Sequence, residues 1–294
     1  MKLITPTYGL NLRSSIFQEE SWMMDPQHAQ AFFLDVFSQK DQPSEKGELN
    51  LASFIHFVSP EGRVQQFGDD IASESVAVIN IIGPMLKYSY WYALGAVDIA
   101  QLIRICISDR RVTAIVLRID SGGGQASAVS PLRTAIRNAI LGAKIPVIAY
   151  CDTAASAAYW VAAECSYVFL DNEINSAVGS IGVYTTWMDI RGYWEELGIK
   201  IHEVYAPESS EKNLEMREAN EGKYKLLEER VLTPMAKSFQ ASVKENRPRL
   251  KSEDPLKGAM YFANDAIANG LADGIHTLEE CIEIARQSNG IINQ

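Results

Sequence analysis

Residues 113–124 read TAIVLRIDSGGG, an apolar run that ends in an acidic residue, a serine and three glycines. A run of branched aliphatic residues of this length predicts a buried strand. The glycines allow a sharp turn and let a ligand approach the backbone N–H groups closely. Residues 127–141 follow with apolar side chains spaced by four. The stretch therefore predicts a strand, a glycine turn and a helix.

The same alternation of strand and helix extends to both sides of this stretch. Upstream, an apolar run at 75–83 predicts a strand, and a helix is predicted to begin at Asp98. Downstream, further strands are predicted at 146–152, 166–171 and 200–206. Strands that alternate with helices favour an α/β fold with mostly parallel pairing.

Three other segments flank or interrupt this pattern. Residues 1–36 are interpreted as a helical lead-in, with Asp25 as the N-cap of a helix that has proline in its first turn. The polar residues 38–50 are interpreted as a linker. A long helix is predicted over 214–246, and Pro234 inside it should produce a kink.

Composition limits the class of protein. The 294 residues carry 27 Lys and Arg against 37 Asp and Glu, a formal net charge of −10, and 47% are hydrophobic. The acidic balance disfavours a nucleic-acid binder, and the apolar content disfavours a disordered chain. The N-terminal residues lack the apolar run of a secretory signal, and no stretch has the length of a membrane-spanning helix. We therefore expect a cytoplasmic chain without a membrane anchor.

The cysteines and histidines are scattered along the chain. Without C-x-x-C pairs, the cysteines are expected to be buried, reduced thiols. The histidines show no spacing typical of a metal site. The sequence thus predicts neither a metal nor another cofactor. The cysteines are Cys106, Cys151, Cys165 and Cys281.

Three short motifs carry candidate chemistry, and each also has a purely structural interpretation. The backbone N–H groups of the glycines at 122–124 could bind an anion or a developing oxyanion; alternatively, these glycines form only a tight turn. Ser156, with small neighbours on both sides in the segment 153–160, could be a nucleophile at the start of a helix. Alternatively, the small residues serve only close packing of that helix. The motif GSIGV at 179–183 could form a turn that exposes its backbone at a cleft; alternatively, it is a loop without such a role.

In their order and spacing, these motifs resemble those of the signal peptide peptidase A (protease IV) family of serine peptidases. That family's pattern is Asp/Asn-Ser-Pro-Gly-Gly, then Ala-Ala-Ser-Gly/Ala, then Gly-Ser-Ile-Gly-Val. The corresponding residues here are 120–124, 154–157 and 179–183. The resemblance implies a ClpP/crotonase-like fold of stacked β-β-α units, and a homo-oligomer. It divides the chain into an N-terminal extension (1–74), a peptidase domain (75–285) and a polar tail (286–294).

The first residues narrow the resemblance to one branch. The sequence WMMDP at 22–26, with Ala29, Phe32 and Phe33 after it, looks like the lead-in of the phage head protein branch. Members of that branch act as procapsid or minor-capsid proteases. The resemblance therefore implies protein or peptide substrates, namely scaffold, portal or capsid proteins. It also implies a location in the bacterial host cytoplasm or the phage procapsid.

The family resemblance implies a Ser–Lys dyad. Ser156 would be the nucleophile, and the oxyanion hole would consist of backbone N–H groups of Gly123 or Gly124 and of Ala157. A lysine serves as base only when neutral, so burial must lower its pKa from about 10.4 before it accepts the hydroxyl proton. Substrate-binding residues would be Gly122, Ser180, Ile181 and Gly182.

Lys212 is the expected base, although its loop departs from the family's pattern. The family commonly carries Tyr-Ser-Gly-x-His/Tyr-Lys, whereas Lys212 follows Tyr205 at a longer spacing. Glu208 and Glu211 beside it would also suit a solvated loop charge. Lys200 is the alternative base.

These observations predict a serine endopeptidase that hydrolyses peptide bonds through an acyl-enzyme at Ser156, with Lys212 as base and then acid. One alternative is a catalytically inactive capsid-assembly protein on the same fold. Others are a soluble signal-peptide-peptidase-like protease and a crotonase-like acyl-CoA enzyme. For the specificity pocket, the sequence offers only apolar candidates such as Tyr159 and Trp160.

Overall fold

The computed structural model describes residues 22–24, 54–90, 93–187, 189 and 191–292. Within these residues one nine-stranded sheet forms the centre of the chain, and a separate two-stranded pair lies beside it. The strands of the main sheet are β2 (Ile55–Val58), β3 (Val64–Gln66), β4 (Ser75–Ile82), β5 (Val112–Ser121), β7 (Val147–Ala155), β8 (Tyr167–Leu170), β9 (Ala177–Gly179), β10 (Met260–Phe262) and β11 (Gly274–Ile275). The pair consists of β1 (Trp22–Met24) and β6 (Gly123–Gln125).

The main sheet has the order β10-β9-β7-β5-β4-β2-β3. Its central strands β4, β5 and β7 are parallel neighbours, as the alternating pattern predicts. β7 has two parallel partners on one edge, because β8 pairs with residues 148–151 and β9 pairs with residues 153–155. β9 thus extends the sheet at the carboxyl end of β7, the end at which Ser156 follows.

The helices of the described residues follow the strands in sequence. They are α1 (Ala96–Ser108), α2 (Val129–Arg137), α3 (Ala157–Ala163), α4 (Arg191–Glu196), α5 (Leu214–Asn220), α6 (Lys225–Leu227), α7 (Thr233–Asn246), α8 (Ala263–Ala268) and α9 (Leu278–Ile292). In the part of the chain that the structure describes, none is long and apolar enough to cross a bilayer.

Helices cover both faces of the sheet. α1, α2 and α3 pack on one face, against residues such as Ile79 and Leu117. α9 packs on the other face, where Cys281 lies among residues such as Val78 and Val116. A strand buried on both faces needs apolar residues at consecutive positions, which explains the continuous apolar runs in the sequence. Full burial of one side chain such as Leu117 contributes about 1.5–3 kcal/mol.

The predicted α/β fold is confirmed, and so are most of its elements. Observed strands coincide with the predicted ones at 75–83, 113–120, 146–152 and 166–171. The predicted helix at 127–141 is present as α2 with short 3-10 and π turns at its ends. The cysteines are buried and unpaired, as expected. Burial raises the pKa of the Cys106 thiol to about 12.

The predicted strand at 200–206 is wrong. This segment has no strand structure, and its apolar side chains Ile201 and Val204 are exposed. Its β-branched and aromatic residues favour a strand, but a strand also needs a sheet edge to pair with. The edge beside β9 is occupied by β10, which pairs with it antiparallel.

The predicted long helix over 214–246 is interrupted. α5 ends at Asn220, and Gly222 with φ +79 stops the helix in the left-handed conformation that glycine adopts readily. A π turn over Glu228–Leu232 then leads into α7. Pro234 follows this π turn closely and lies inside a helical stretch that continues from α6, so the predicted kink stays a prediction.

The N-terminal prediction is corrected in one place. Residues Trp22–Met24, placed in a helical lead-in by the sequence, form the strand β1. The helix predicted from Asp25 and the linker at 38–50 lie outside the described residues. The main sheet also includes β2 and β3, from the segment that the sequence assigned to the extension.

Candidate active site

Ser156 lies at a strained turn between β7 and α3. Its backbone has φ 54 and ψ −119, and the residue is 2% exposed. A non-glycine residue held in such a region costs about 1–3 kcal/mol and persists only where its surroundings fix it. Here the Ser156 N–H donates to the Gly179 carbonyl oxygen at 2.9 Å, and the Ser156 carbonyl accepts from Trp160 N–H at 2.9 Å. Strain of this kind marks Ser156 as a candidate functional residue.

The Ser156 hydroxyl is held loosely. Its Oγ lies 3.5 Å from the carbonyl oxygen of Gly182, which is a long hydrogen bond. Ala155 and Ala157 on either side are fully buried and small. The hydroxyl is therefore neither locked into a strong network nor shielded by bulky neighbours in the chain.

The glycine turn packs directly against the Ser156 turn. Gly123 has φ +98, and a Cβ there would lie 2.1 Å from the Met23 carbonyl oxygen, 2.9 Å from the Ala155 carbonyl oxygen and 3.1 Å from the Ala157 nitrogen. No side chain fits in this space. The Gly123 N–H donates to Ser121 Oγ at 3.2 Å. The N–H groups of Gly123 and Ala157 thus belong to adjoining pieces of backbone.

The other two glycines of the turn have different surroundings. A Cβ on Gly124 would lie 2.0 Å from the Met85 carbonyl oxygen, so the backbone passes too close to Met85 for any side chain. Gly124 is also paired across from Met23 in the β1–β6 ladder. Gly122 is buried in the same turn.

The GSIGV motif forms the opposite wall. Gly179 is the register partner of Ala155, and a Cβ on Gly179 would lie 2.4 Å from the Ala259 carbonyl oxygen. Ser180, at φ 53, donates its N–H to that same oxygen at 2.8 Å. Ile181 is buried. The structure therefore brings all three sequence motifs together around Ser156.

The two lysines proposed as base are surface residues. Lys212 is exposed, in a turn after a 3-10 segment, and its backbone N–H donates to the Ser209 carbonyl at 3.0 Å. Lys200 is also exposed. Among the described contacts, the hydrogen bond of Ser156 Oγ runs to Gly182 and not to a lysine. The dyad of Ser156 with Lys212 stays a prediction.

A cavity of about 480 Å³ opens beside this turn, between α2, α3 and the start of α7. Trp160, one helical turn after Ser156, lines it and stacks on Phe239 with ring centroids 4.6 Å apart. Met23 and Met235 also line it. Tyr159, the other candidate from the sequence, is a core residue, since it is fully buried and its hydroxyl donates to the Leu271 carbonyl.

Arg133 and Arg137, which line this cavity, belong to an ion-pair cluster that the sequence did not predict. Glu164, whose side chain is fully buried, accepts hydrogen bonds of 2.6 Å from both Arg133 Nε and Arg137 Nε. Ser242 Oγ donates to the same carboxylate. The cluster ties α2, the end of α3 and α7 together. Only Glu164 stood out in the sequence, as a charge in an apolar run, and its partners are too distant in sequence to be recognised.

With this geometry established, similarity to known proteins decides the family. The pattern that defines peptidase family S49 matches residues 139–291, slightly more than half of the chain. This chain belongs to peptidase family S49. The match includes Ser156, the GSIGV motif and Lys212, and it begins after the glycine turn.

Curated relatives of this S49 chain include bacterial and phage proteins. Protease 4 of Haemophilus influenzae is 26% identical over 255 residues, which are 84% of this chain and 39% of that protein. The chloroplastic serine protease SPPA of Arabidopsis thaliana is 29% identical over 206 residues, 68% of this chain and 29% of that protein. The head-tail preconnector protein GP5 of Enterobacteria phage P21 is 28% identical over 202 residues, 64% and 39% respectively. The chain spans about two fifths of the relatives' length, or less.

Solved structures similar to this S49 chain include both groups named in the predicted ClpP/crotonase-like fold. A ClpP1 mutant from Listeria monocytogenes overlaps 70% of this chain and 94% of its own, with a TM-score of 0.40 and 13% identity. A monofunctional enoyl CoA isomerase from M. smegmatis overlaps 81% and 85%, with a TM-score of 0.44 and 14% identity. A mutant of the 1510-N membrane-bound stomatin-specific protease overlaps 70% and 82%, with a TM-score of 0.42 and 18% identity. At these scores the likeness says nothing about activity.

Proposed function

We propose that this chain is a serine endopeptidase whose nucleophile is Ser156. The observation that carries the proposal is the strained backbone of Ser156, at φ 54 and ψ −119, inside a turn bordered by the glycine loop and the GSIGV motif. Because such strain persists only where surrounding contacts fix it, it commonly accompanies a functional side chain. Membership of a peptidase family gives that side chain a reaction, which is acyl transfer from a peptide bond.

The oxyanion hole would use the N–H groups of Gly123 and Ala157. The position of a Gly123 Cβ is 3.1 Å from the Ala157 nitrogen, so these two residues adjoin. Gly124 is less suited, because its Cβ position adjoins the Met85 backbone and not Ala157. Backbone donors aimed at a developing oxyanion contribute about 10²–10³ in rate each. Ser156 Oγ would attack the carbonyl carbon, and the peptide nitrogen would leave with a proton from the base.

Lys212 would be that base, with Lys200 as the alternative. Lys212 is exposed in the single chain, and a neutral lysine requires burial near Ser156. A homo-oligomer would supply burial, since apolar side chains are exposed along the segment before Lys212. These side chains are Tyr193, Leu197, Ile199, Ile201 and Val204. Assembly of copies through this segment would complete the dyad.

The substrates would be head, scaffold or portal proteins of a phage or prophage particle, and the enzyme would act in the host cytoplasm or the procapsid. Support comes from the similarity to a head-tail preconnector protein of Enterobacteria phage P21. The substrate segment would enter extended between β6 and the GSIGV motif, past Gly122, Ser180, Ile181 and Gly182.

Labelling with a fluorophosphonate tests the nucleophile. The native chain should be labelled on Ser156, and Ser156→Ala should not be labelled. Ser108→Ala is the matched control, because Ser108 is an exposed helix serine, and its labelling should equal that of the native chain. Equal labelling of Ser156→Ala and the native chain would refute the nucleophile.

Variants of the two lysines test the base. Lys212→Met should abolish cleavage of co-expressed head proteins, whereas Lys200→Met should leave it intact. Cleavage by the native chain should also increase toward alkaline pH as an amine base deprotonates. A cleavage rate unchanged in Lys212→Met would refute that residue as base.

A second candidate is a catalytically inactive capsid-assembly protein on the same fold. The observation that favours it is the exposure of Lys212, since a lysine that acts as a general base must be buried. This candidate predicts no labelling of Ser156 and no change in particle assembly on Ser156→Ala. Particle yield and labelling of the same samples separate the two functions.

A further inference from the structure

The strand β1 is bound to the edge of the glycine turn itself. Its register places Trp22 opposite Gln125, Met23 opposite Gly124 and Met24 opposite Gly123, antiparallel. The other edge of β6 is already used, because Met85 N–H donates to the Gly123 carbonyl at 2.8 Å, and Gln125 N–H donates to the Met85 carbonyl at 2.9 Å. The edge that β1 pairs with is therefore the one that a further extended peptide would need.

β1 also runs toward the Ser156 turn. Its last residue, Met24, is opposite Gly123, the glycine that adjoins Ala157. The Met23 carbonyl oxygen is 2.1 Å from the point where a Gly123 Cβ would lie, and the Ala157 nitrogen is 3.1 Å from the same point. A backbone carbonyl of β1 thus lies beside the N–H groups proposed as the oxyanion hole.

The side chains of Met23 and Met24 are buried. Met23 is 1% exposed and Met24 is 2% exposed. Met23 lines the cavity of about 480 Å³, together with Trp160 and Met235. The segment therefore has the two contacts that an extended peptide substrate makes, a backbone ladder and a buried apolar side chain.

We propose that residues Trp22–Met24 are an internal pseudosubstrate, which occupies the groove for the acyl side of a peptide substrate. The groove accordingly accepts extended segments that carry an unbranched apolar residue at the position of Met23. An external substrate binds only after β1 leaves, so its apparent affinity falls in proportion to the fraction of chains with an open groove. The assignment of the groove as a substrate site rests on the proposed function.

A reversible cross-link tests the block. Paired residues of an antiparallel ladder lie at a separation that a disulfide can span, so Trp22→Cys with Gln125→Cys should cross-link β1 to β6. Oxidation should slow fluorophosphonate labelling of Ser156 by about tenfold or more, as expected when the open fraction falls below a tenth. Reduction should restore it. The single-cysteine variants, treated identically, are the controls. Equal labelling of the oxidised and reduced double variant would overturn the proposal.

A binding measurement separates this proposal from the catalytic one. In the Ser156→Ala background, Met23→Lys should release β1, because an ammonium group is costly at a position that is 1% exposed and that lines a cavity together with Arg133 and Arg137. A fluorescent peptide with the sequence of residues 19–27, EESWMMDPQ, should then bind about tenfold more tightly than to the Ser156→Ala chain itself, by anisotropy. Met23→Leu is the control, and should bind as weakly as that chain.

The outcomes are distinct. Peptide binding to the Met23→Lys form, with no Ser156 labelling either in the native chain or in Met23→Lys with Ser156 intact, refutes the catalytic function and supports the groove. Ser156 labelling that the cross-link does not slow refutes the pseudosubstrate and leaves the catalytic function standing. No gain in peptide binding on Met23→Lys, in a variant that unfolds like its parent, also overturns the pseudosubstrate, since β1 would then be only a structural strand.

Discussion

The backbone N–H of Ser156 donates a 2.9 Å hydrogen bond to the carbonyl oxygen of Gly179. These residues lie at the ends of two parallel neighbours, β7 and β9. The bond holds Ser156 in a conformation that serine avoids, and it joins the turn to the GSIGV motif. The strained turn and the wall beside it therefore form as one unit.

Two substitutions of Ser156 test whether its backbone is strained, independently of the role of its hydroxyl. Glycine adopts φ 54 and ψ −119 without a Cβ penalty, whereas alanine keeps the penalty. Ser156→Gly should therefore be about 1 kcal/mol more stable than Ser156→Ala, and both should lack labelling. Urea denaturation of the two variants measures the difference. An alanine variant as stable as the glycine variant would show that the turn relaxes and stores no strain.

Gly123 should tolerate no side chain. Gly123→Ala places a Cβ where the Met23 and Ala155 carbonyl oxygens crowd it, at φ +98, so it should destabilise the fold by about 1–3 kcal/mol. Gly142→Ala is the control, because nothing lies within 4 Å of its Cβ position, and it should be neutral or slightly stabilising. Thermal unfolding compares the two. A similar melting temperature for both would contradict the close packing of the glycine turn.

Glu164 should be the most sensitive charge among those described here. Glu164→Ala leaves Arg133, Arg137 and the Ser242 hydroxyl without their shared acceptor, which should cost about 1–3 kcal/mol, since the arginines are one third exposed and can be hydrated. Glu245→Ala is the control, because Glu245 pairs with Arg137 at the surface and should cost at most about 1 kcal/mol. Chemical denaturation measures both. Equal losses of stability in the two variants would mean that the Glu164 cluster does not hold α7 against α2 and α3.

Cys106 should make stability depend on alkaline pH. Burial raises its pKa from 9.0 to about 12, so above pH 9 the unfolded chain loses this proton while the folded chain keeps it. The free energy of unfolding should therefore decrease between pH 9 and 12, by about 1.4 kcal/mol per pH unit for this thiol. Its contribution is fully present below pH 9.

The variant Cys106→Ala isolates that contribution. Its stability should be lower throughout because of the lost packing, but it should decrease less steeply above pH 9 than that of the native chain. Denaturation under reducing conditions at several pH values gives both slopes. Parallel slopes would mean that the Cys106 thiol does not remain protonated in the folded chain.

Much of the sheet could be predicted because its information is local. Parallel strands buried on both faces need continuous apolar runs, so residues 75–83 and 113–120 are recognisable without their neighbours. The segment at 200–206 has residue types that favour a strand, but the sheet edge beside β9 is taken by β10, which comes from much later in the chain. Gly222 was a visible signal for the end of α5 and was outweighed by the periodicity around it.

The site, like the sheet, has parts that local sequence predicts and parts that depend on distant residues. Each of the three motifs is readable in a few residues, and the structure brings them together through the pairing of β7 with β9. Met23 could not be found, because its partner Gly124 is distant in sequence and the residues after Met23 look helical. The role of Lys212 depends on burial that the single chain does not provide, so no local pattern decides it.

The contact between Ser180 and Ala259 has a consequence for biosynthesis. The wall beside Ser156 is held by the Ala259 carbonyl and by β10, both of which leave the ribosome late. A nascent chain that has emerged only as far as α7 has its nucleophile but lacks the support behind it, since domains fold as units. The wall beside Ser156 can therefore be completed only after residues up to Phe262 have left the ribosome.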